Sequence, residues 1–387
     1  MHDFSDELAH LASQSLLRTR RVVDGPQGPL LMVEGRQLLS FCSNDYLGLA
    51  RHPEIVAASI AGLQQYGMGA GASALISGHS TAHEKLEEEL ARFVGLPATL
   101  SFSSGYMANL GVIGALVGAG DTVVVDRLAH ASLIDGARLS GASLKVFPHN
   151  DVARLAQVLA RCPTGRRLVV TDAVFSMDGD LAPLAELAAV CGQHDAWLLV
   201  DDAHGLGVLG PHGSGSLAQA GVRSPHVLCM GTLGKAAGVA GAFVAGEASL
   251  IAWITQRART YMFTTAHPPA LAVATSASLA LMARDDWRRA RLRELAAQLR
   301  QGLAGLPWVL LPSSTAIQPL IVGDNAAARA LAAALRDRSI WVPAICPPTV
   351  PKGSARLRIS LSAVHTPEHV DQLIVALQSL ATEGAHA

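Results

Sequence analysis

Short apolar runs recur through the first two thirds of the chain: TVVVD (122–126), LVVTD (168–172), WLLVD (197–201), VLCMG (227–231) and GAFVAG (241–246). None alternates apolar with polar, so both faces of each run are expected to be buried. With helical segments between them, they predict a mainly parallel sheet covered on both sides. In TAHEKLEEELARFVG (81–95), Leu86, Leu90, Phe93 and Val94 line one helical face. Thr81 and Glu84 have the spacing of a capping box, and Gly95 supplies the stop. Residues 5–19 read as a short amphipathic helix. From about residue 280 the pattern changes. RDDWRRARLRELAAQLRQGL reads as a charged surface helix, followed by QPLIVGD (318–324), a helix over 325–338, ARLRISLSAVHT (355–366) and a last helix. The expected division is a large α/β domain over 44–280 and a smaller α+β domain over 281–387, with residues 1–43 packing against the small domain.

Composition narrows this picture. Apolar residues make up 50% and charged residues 16% of 387, against roughly 25% charged in an average soluble domain. Much of the surface is therefore expected to be buried, part of it between subunits. Net charge is −1 with the cations scattered, which argues against a nucleic-acid partner. Five cysteines are far apart and form no CxxC, the usage of a reduced cytoplasmic protein. The N-terminus, MHDFSDELAHLASQSLLRTRR, has no signal-peptide core. The uncharged runs 95–120 and 262–283 are broken by SFSSGYMAN and by MFTTAHPPA. Neither offers the ~20 apolar residues of a spanning helix, so no membrane segment is expected.

Candidate chemistry gathers at the ends of the apolar runs, where parallel sheets bind ligands. CMGTLGKAAGVAGAF (229–243) holds one charged side chain, Lys235, with no acid within it. It is not a P-loop, since Ala236 replaces the magnesium-binding hydroxyl. Lys235 either extends to water or is an amine nucleophile ready to form a Schiff base. WLLVDDAHG (197–205) ends a strand in two acids. Alternation sends Asp201 and Asp202 to opposite faces, so one of them can face a ligand. Such an acid can hold a protonated ring nitrogen, as pyridoxal 5'-phosphate (PLP) requires; alternatively it caps a helix and His204 is a core residue. SFSSGYMANLG (101–111) places Ser-Ser-Gly-Tyr before a helix, where backbone N–H groups attract phosphate. His130 follows a strand in DRLAHASLIDGARLSGA, and Asp178 and Asp180 shape an acidic turn. YGMGAGASALISGHS (66–80) is glycine-rich but lacks the strand–helix setting of a dinucleotide fingerprint. HSTAH (79–83) offers paired histidines without a third ligand nearby, so no metal is expected.

Taken in order, SNDYLGL (43–49), SGYMAN (104–109), DRLAHASLIDG (126–136), VFSMDGD (174–180), VDDAHGLGVLG (200–210) and GTLGKAAG (231–238) resemble the α-oxoamine synthases. These are PLP-dependent transferases of fold type I, like aspartate aminotransferase. The resemblance implies that Lys235 is the Schiff-base lysine, that Asp201 pairs with the pyridine nitrogen, and that His204 meets the ring hydroxyl. His130 would stack on the ring and Ser176 would contact the cofactor. Thr232 and the Gly105-Tyr106 turn would hold phosphate. Catalytic roles would fall to Lys235, His130, Asp201 and His204. Arg18, Asn44, His130, Thr349 and Arg358 would contact substrate, Arg358 taking the amino-acid carboxylate.

Within the family, TAIQPLIVGDN and PPTVPKGSARLRISL (347–361) most resemble the member that condenses L-alanine with a pimeloyl thioester, of coenzyme A or of an acyl carrier protein, in biotin synthesis. The reaction is a decarboxylative C-acyl transfer. Cys346 stands where a close relative carries arginine (AICPPT against AIRPPT). Ala74 stands where the glycine-using sisters, 2-amino-3-ketobutyrate ligase and 5-aminolevulinate synthase, tend to carry arginine. A non-catalytic PLP-binding protein would be expected to lose Lys235, Asp201 or His204, and all three are present. The resemblance also implies a homodimer with shared sites, in which Thr264 or Thr265 reaches the partner's phosphate.

Overall fold

The computed structural model describes residues 3–384. They form two compact units. The larger takes Leu49–Ser176 and Leu181–Arg289. The smaller takes the chain up to Gly48, the turn Met177–Asp180 and the chain from Ala290 onward.

The larger unit is built on a seven-stranded sheet. Its strands are β1 (Ala98–Phe102), β2 (Thr122–Asp126), β3 (Ser143–Phe147), β4 (Arg167–Asp172), β5 (Trp197–Asp201), β6 (Val227–Thr232) and β7 (Ala242–Gly246). Their spatial order is β1-β7-β6-β5-β4-β2-β3. Strands β2 to β6 pair in parallel, and the apolar runs are buried on both faces as expected: Val123, Val124 and Val125 are all at 1% exposure or less. Strand β7 runs antiparallel to both neighbours. Its connection explains this. A parallel return needs a crossover of about a dozen residues or more, and the loop Leu233–Gly241 is too short for one. The chain therefore doubles back, and Lys235 is left on a tight loop at the carboxyl end of β6.

Helices cover the sheet. Gly105–Leu116 buries Ala108, Val112, Ile113 and Leu116 in a core shared with Leu100, Val123, Leu199 and Val244. Pro269–Arg284, the helix within the second uncharged run, packs on Pro53–Tyr66 so closely that a Cβ at Gly62 would lie 2.9 Å from Ala270 Cα. No helix among the described residues is long and apolar enough to cross a membrane. Helix Thr81–Val94 has the expected face and stop, with Gly95 in the left-handed region at φ 69°. Its cap differs from expectation. Ser80, not Thr81, is the N-cap, and His83, not Glu84, returns the bond to it. His83 is buried beneath the first turn, whereas Glu84 faces outward.

The smaller unit holds two four-stranded sheets. In one, the N-terminal strands Val23–Asp24, Leu30–Val33 and Arg36–Ser40 are joined by C-terminal Ile340–Trp341, which pairs in parallel with Arg36–Ser40. The other orders Val309–Leu310, Ile317–Gly323, Ala355–Ser360 and Ala344–Ile345. The N-terminal helix is shorter than its pattern suggested. It spans Ser5–Ser13 and buries no residue, and Ser15 at φ 55° turns the chain out of the helix. Helix Asp286–Gly302 is more than a surface helix: Leu292, Leu295 and Leu299 are buried on one face. Asp178 also does more than shape its turn, forming an ion pair with the buried guanidinium of Arg356.

Candidate active site

Four carboxyl ends of the parallel strands and the start of one helix converge in the larger unit. Lys235, on the β6–β7 loop, places Nζ 2.8 Å from His204 Nε2. His204 follows β5 in a tight turn and is buried. Asp201, the last residue of β5, is 3% exposed. Its Oδ1 accepts from the Ala203 N–H at 3.0 Å and its Oδ2 from Asn109 Nδ2 at 2.8 Å. Asp202 faces the other way, accepting from the N–H of Ser216 at 2.8 Å and from its hydroxyl. Strand alternation thus separates the two acids as expected, and Asp201 is the one that hydrogen bonds through Asn109 and Ser132 link to His130.

His130 caps helix Ala131–Leu139. Its N–H donates to Asp172 Oδ2 at 2.8 Å, and its Nδ1 lies 2.8 Å from Ser132 Oγ. Burial is the main cause that lowers the His130 pKa, opposed by Asp201, so the ring is held neutral. Burial, reinforced by the charge of Asp201, raises Asp172 well above the ordinary carboxyl range. Asn109 completes the network. The same Nδ2 that reaches Asp201 donates to Ser132 Oγ at 2.9 Å. His130, Ser132, Asn109 and Asp201 therefore form one continuous chain of hydrogen bonds, exposed at His130 and buried from Ser132 inward. Asn109 is fully buried, and its Oδ1 has no partner within the protein.

Gly105 and Tyr106 are the first residues of helix Gly105–Leu116, as expected. Ser104 caps the N–H of Met107 at 3.3 Å, and first-turn geometry leaves the N–H groups of Gly105 and Tyr106 without an intrahelical acceptor. The Tyr106 hydroxyl donates to Asp135. Thr232 ends β6 and its Oγ1 donates to Gly241 O at 3.2 Å. Ser176 is half-buried at the edge of the same unit. This donor set suits PLP: an amine beside a histidine, a buried carboxylate at a strand end, a neutral flat ring, and a helix N-terminus for the phosphate.

The remaining expected residues lie in the smaller unit. Arg358, 5% exposed on strand Ala355–Ser360, donates to Asn44 Oδ1 at 3.2 and 3.3 Å and to Ser360 Oγ at 2.8 Å, with Tyr46 Oη at 3.4 Å. Asn44 and Arg358 are thus brought together. Thr349 is exposed, its N–H bonded to Cys346 O at 3.2 Å. Arg18 is exposed and lines a cavity with other arginines.

The paired histidines of HSTAH stack with ring centroids 5.7 Å apart but turn their nitrogens to different partners. Contrary to expectation, further possible ligands are near, since Glu84 and Glu87 bring their carboxylates within 4.8 Å of His79 and of each other. His83 Nδ1 accepts from Ser80 N–H at 3.0 Å and its Nε2 lies 2.8 Å from His267 O, while His79 pairs with Glu84 at 2.8 Å. Glu87 Oε1 takes the N–H and hydroxyl of Ser101 at 2.8 and 2.6 Å, a bond that ties the helix to β1.

Sequence reasoning did not single out Asn109, Ser132, Tyr46 or Ser216. Asn109 carried the clearest signal, as the one amide in the otherwise mostly apolar helix GYMANLGVIGAL. Its partners are 23 and 92 residues away, so its role became visible in three dimensions.

Residues 36–377 match the family of class I and II aminotransferases. An 8-amino-7-oxononanoate synthase of Nitrosomonas eutropha is 57% identical over 382 residues, covering 98% of this chain and 99% of that protein. A serine palmitoyltransferase variant of S. paucimobilis, described with bound PLP, superposes with a TM-score of 0.93 at 30% identity, covering 99% of this chain and 98% of that one. An 8-amino-7-oxononanoate synthase of Francisella tularensis superposes with a TM-score of 0.78 at 28% identity, covering 89% and 98%. With an amine, a buried acid and a phosphate-ready helix start at one place in a type I fold, the chain belongs to the 8-amino-7-oxononanoate synthase family of PLP-dependent, acyl-transferring enzymes.

Proposed function

We propose that this chain condenses L-alanine with a pimeloyl thioester, with loss of carbon dioxide. The observation that carries the reading is the Lys235–His204 contact beside the Asp201–Asn109–Ser132–His130 hydrogen-bond chain. When bound, PLP supplies an electron sink for negative charge developing at the α-carbon of the amino acid. Lys235 would hold its aldehyde carbon, Asp201 its ring nitrogen, His204 its ring hydroxyl and His130 its ring face. Gly105, Tyr106 and Thr232 would hold the phosphate, with Ser176 as a further contact.

The protein's own contribution is placement and proton transfer. Lys235 Nζ takes the α-proton, and His204 Nε2, 2.8 Å away, orients that amine. The Asp201 carboxylate keeps a positive charge on the group facing it, and Asn109 holds that carboxylate in one orientation. Arg358 binds the amino-acid carboxylate, preorganised by Asn44, Tyr46 and Ser360. Arg18 and Thr349 contact the acyl donor.

The reading extends to a cytoplasmic homodimer with shared sites. All five cysteines are free, as a reducing compartment requires. Ile76, Met68, Leu139 and Phe263 are between 69% and 80% exposed on the larger unit, and exposed apolar side chains of this size favour a partner surface. Thr264 or Thr265 would reach the partner's phosphate. Light scattering tests this: an active monomer would refute it.

The deciding experiment pairs L-alanine or glycine with pimeloyl-, succinyl- or acetyl-coenzyme A, measuring free thiol and product mass. Preference for alanine with the pimeloyl donor is expected. One methyl discriminates by only ~1–3 kcal/mol, so the amino-acid preference is modest. Faster turnover of glycine with acetyl- or succinyl-coenzyme A would overturn the choice of substrates.

A further inference from the structure

A cavity of about 390 Å³ in the smaller unit is lined by four arginines, Arg18, Arg21, Arg329 and Arg336, and among the described residues by no carboxylate. The chain as a whole is nearly neutral, with 30 basic and 31 acidic residues. Four like charges converging on one hollow cost free energy unless an anion joins them.

Helical spacing builds the site. Arg329 and Arg336 are two turns apart on helix Asn325–Asp337 and share a face, while Ala328, Leu331 and Leu335 bury another. Ala332 and Ala333 line the space between them, so no long side chain fills it. Arg329 anchors the N-terminal segment, its Nη1 and Nη2 donating to Leu17 O at 3.4 and 3.3 Å. Its Nε is buried with no acceptor in the protein. Arg21 has one acid, Glu34, at 2.7 Å. Trp341 adds a flat apolar wall. Pro343 belongs to the same lining, and its carbonyl accepts the N–H of Arg358 at 3.1 Å.

We infer that this cavity binds the phosphates of the acyl donor's carrier, with Trp341 against a flat ring, the chemistry of the coenzyme A nucleotide. Arginine suits phosphate because its planar fork donates two parallel bonds, and an aromatic wall suits a base. The inference rests on the proposed use of a thioester donor and names what the enzyme grips on it.

The test is calorimetric titration of the PLP-loaded enzyme with free coenzyme A, with inorganic pyrophosphate and with phosphopantetheinylated acyl carrier protein. Arg329→Gln/Arg336→Gln should weaken coenzyme A binding by about tenfold or more, since each lost bond involves a charged group. It should weaken pyrophosphate as well and reduce the salt dependence of both. Arg336→Gln alone, which spares the Leu17 anchor, should weaken coenzyme A by a smaller factor if the double variant does not fold. Arg338→Gln, whose guanidinium pairs with Glu383 outside the cavity, should leave binding unchanged. L-Alanine binding, read from the cofactor absorbance, should not move. Weakening confined to the carrier protein would retain the phosphate site and overturn coenzyme A as its source. Unchanged affinity for both donors, or an equal loss in Arg338→Gln, would overturn the inference. Free coenzyme A reads the cavity without turnover, so failure of the condensation itself would leave this result distinct.

Discussion

Asn109→Leu tests the network most sharply. The substitution is close in volume at a fully buried position and removes both donors from Nδ2. A hydrogen bond to a charged acceptor is worth about 1.5–3 kcal/mol and one to a hydroxyl about 0.5–1.5 kcal/mol. Leucine also removes the buried Oδ1 that lacks a partner, which offsets part of the loss. A net destabilisation of about 1–3 kcal/mol is expected. The functional effect runs through Asp201. Losing the donor on Oδ2 leaves the Ala203 N–H as the remaining bond that orients the carboxylate, so it is less well preorganised toward a facing cation. A fall in kcat of about ten- to a hundredfold corresponds to ~1.4–2.7 kcal/mol of transition-state stabilisation. Asn109→Asp should be worse, since it places a second carboxyl where Nδ2 now lies 2.8 Å from Asp201 Oδ2 and forces the two to share a proton. The assays are kcat with L-alanine and pimeloyl-coenzyme A, and a pH titration of the cofactor's visible absorbance, which a purely structural role would not move. A folded Asn109→Leu enzyme with near-normal kcat and an unmoved titration would refute the reasoning.

Lys235→Ala should abolish turnover and the absorbance of the covalently held cofactor while circular dichroism shows the fold intact; near-normal turnover would exclude Lys235 as the amine. Asp201→Asn should lower kcat by roughly 3–4 kcal/mol, by analogy with deleted oxyanion donors, and Asp202→Asn should lower it far less. Asp202 also predicts a pH effect. Burial raises its carboxyl from 3.8 to about 7, so between those values the folded chain holds a proton that the unfolded chain has released. The stability this proton contributes is fully present below pH 3.8 and is lost as pH rises to about 7; denaturant titrations across the window should show that component vanish in Asp202→Asn. Arg358→Gln should raise KM for L-alanine more than for the thioester, and an unchanged alanine KM would remove Arg358 from carboxylate binding.

The apolar runs at 122–126, 168–172 and 197–201 determined their own strands, because a segment apolar on both faces has no stable place except between two layers. Gly95 determined its helix end because it reaches φ 69° without a Cβ clash. Lys235 was legible as chemistry because an ammonium among glycines and alanines needs a reason. Tertiary structure decided what depends on distance in space. Thr81 and Glu84 had the spacing of a cap, yet Ser80 and His83 took the role, because His83 is buried against His267, 184 residues away. The direction of β7 followed from the length of the loop before it rather than from its own residues, which read like those of any buried strand. Asn109 looked like one polar residue in an apolar helix until β5 brought Asp201 to it. The helix over 325–338 was legible, but that Arg329 holds Leu17 and that Arg329 and Arg336 line one cavity with Arg18 and Arg21 was not, since local periodicity reports which residues share a face and carries no information on what packs against it.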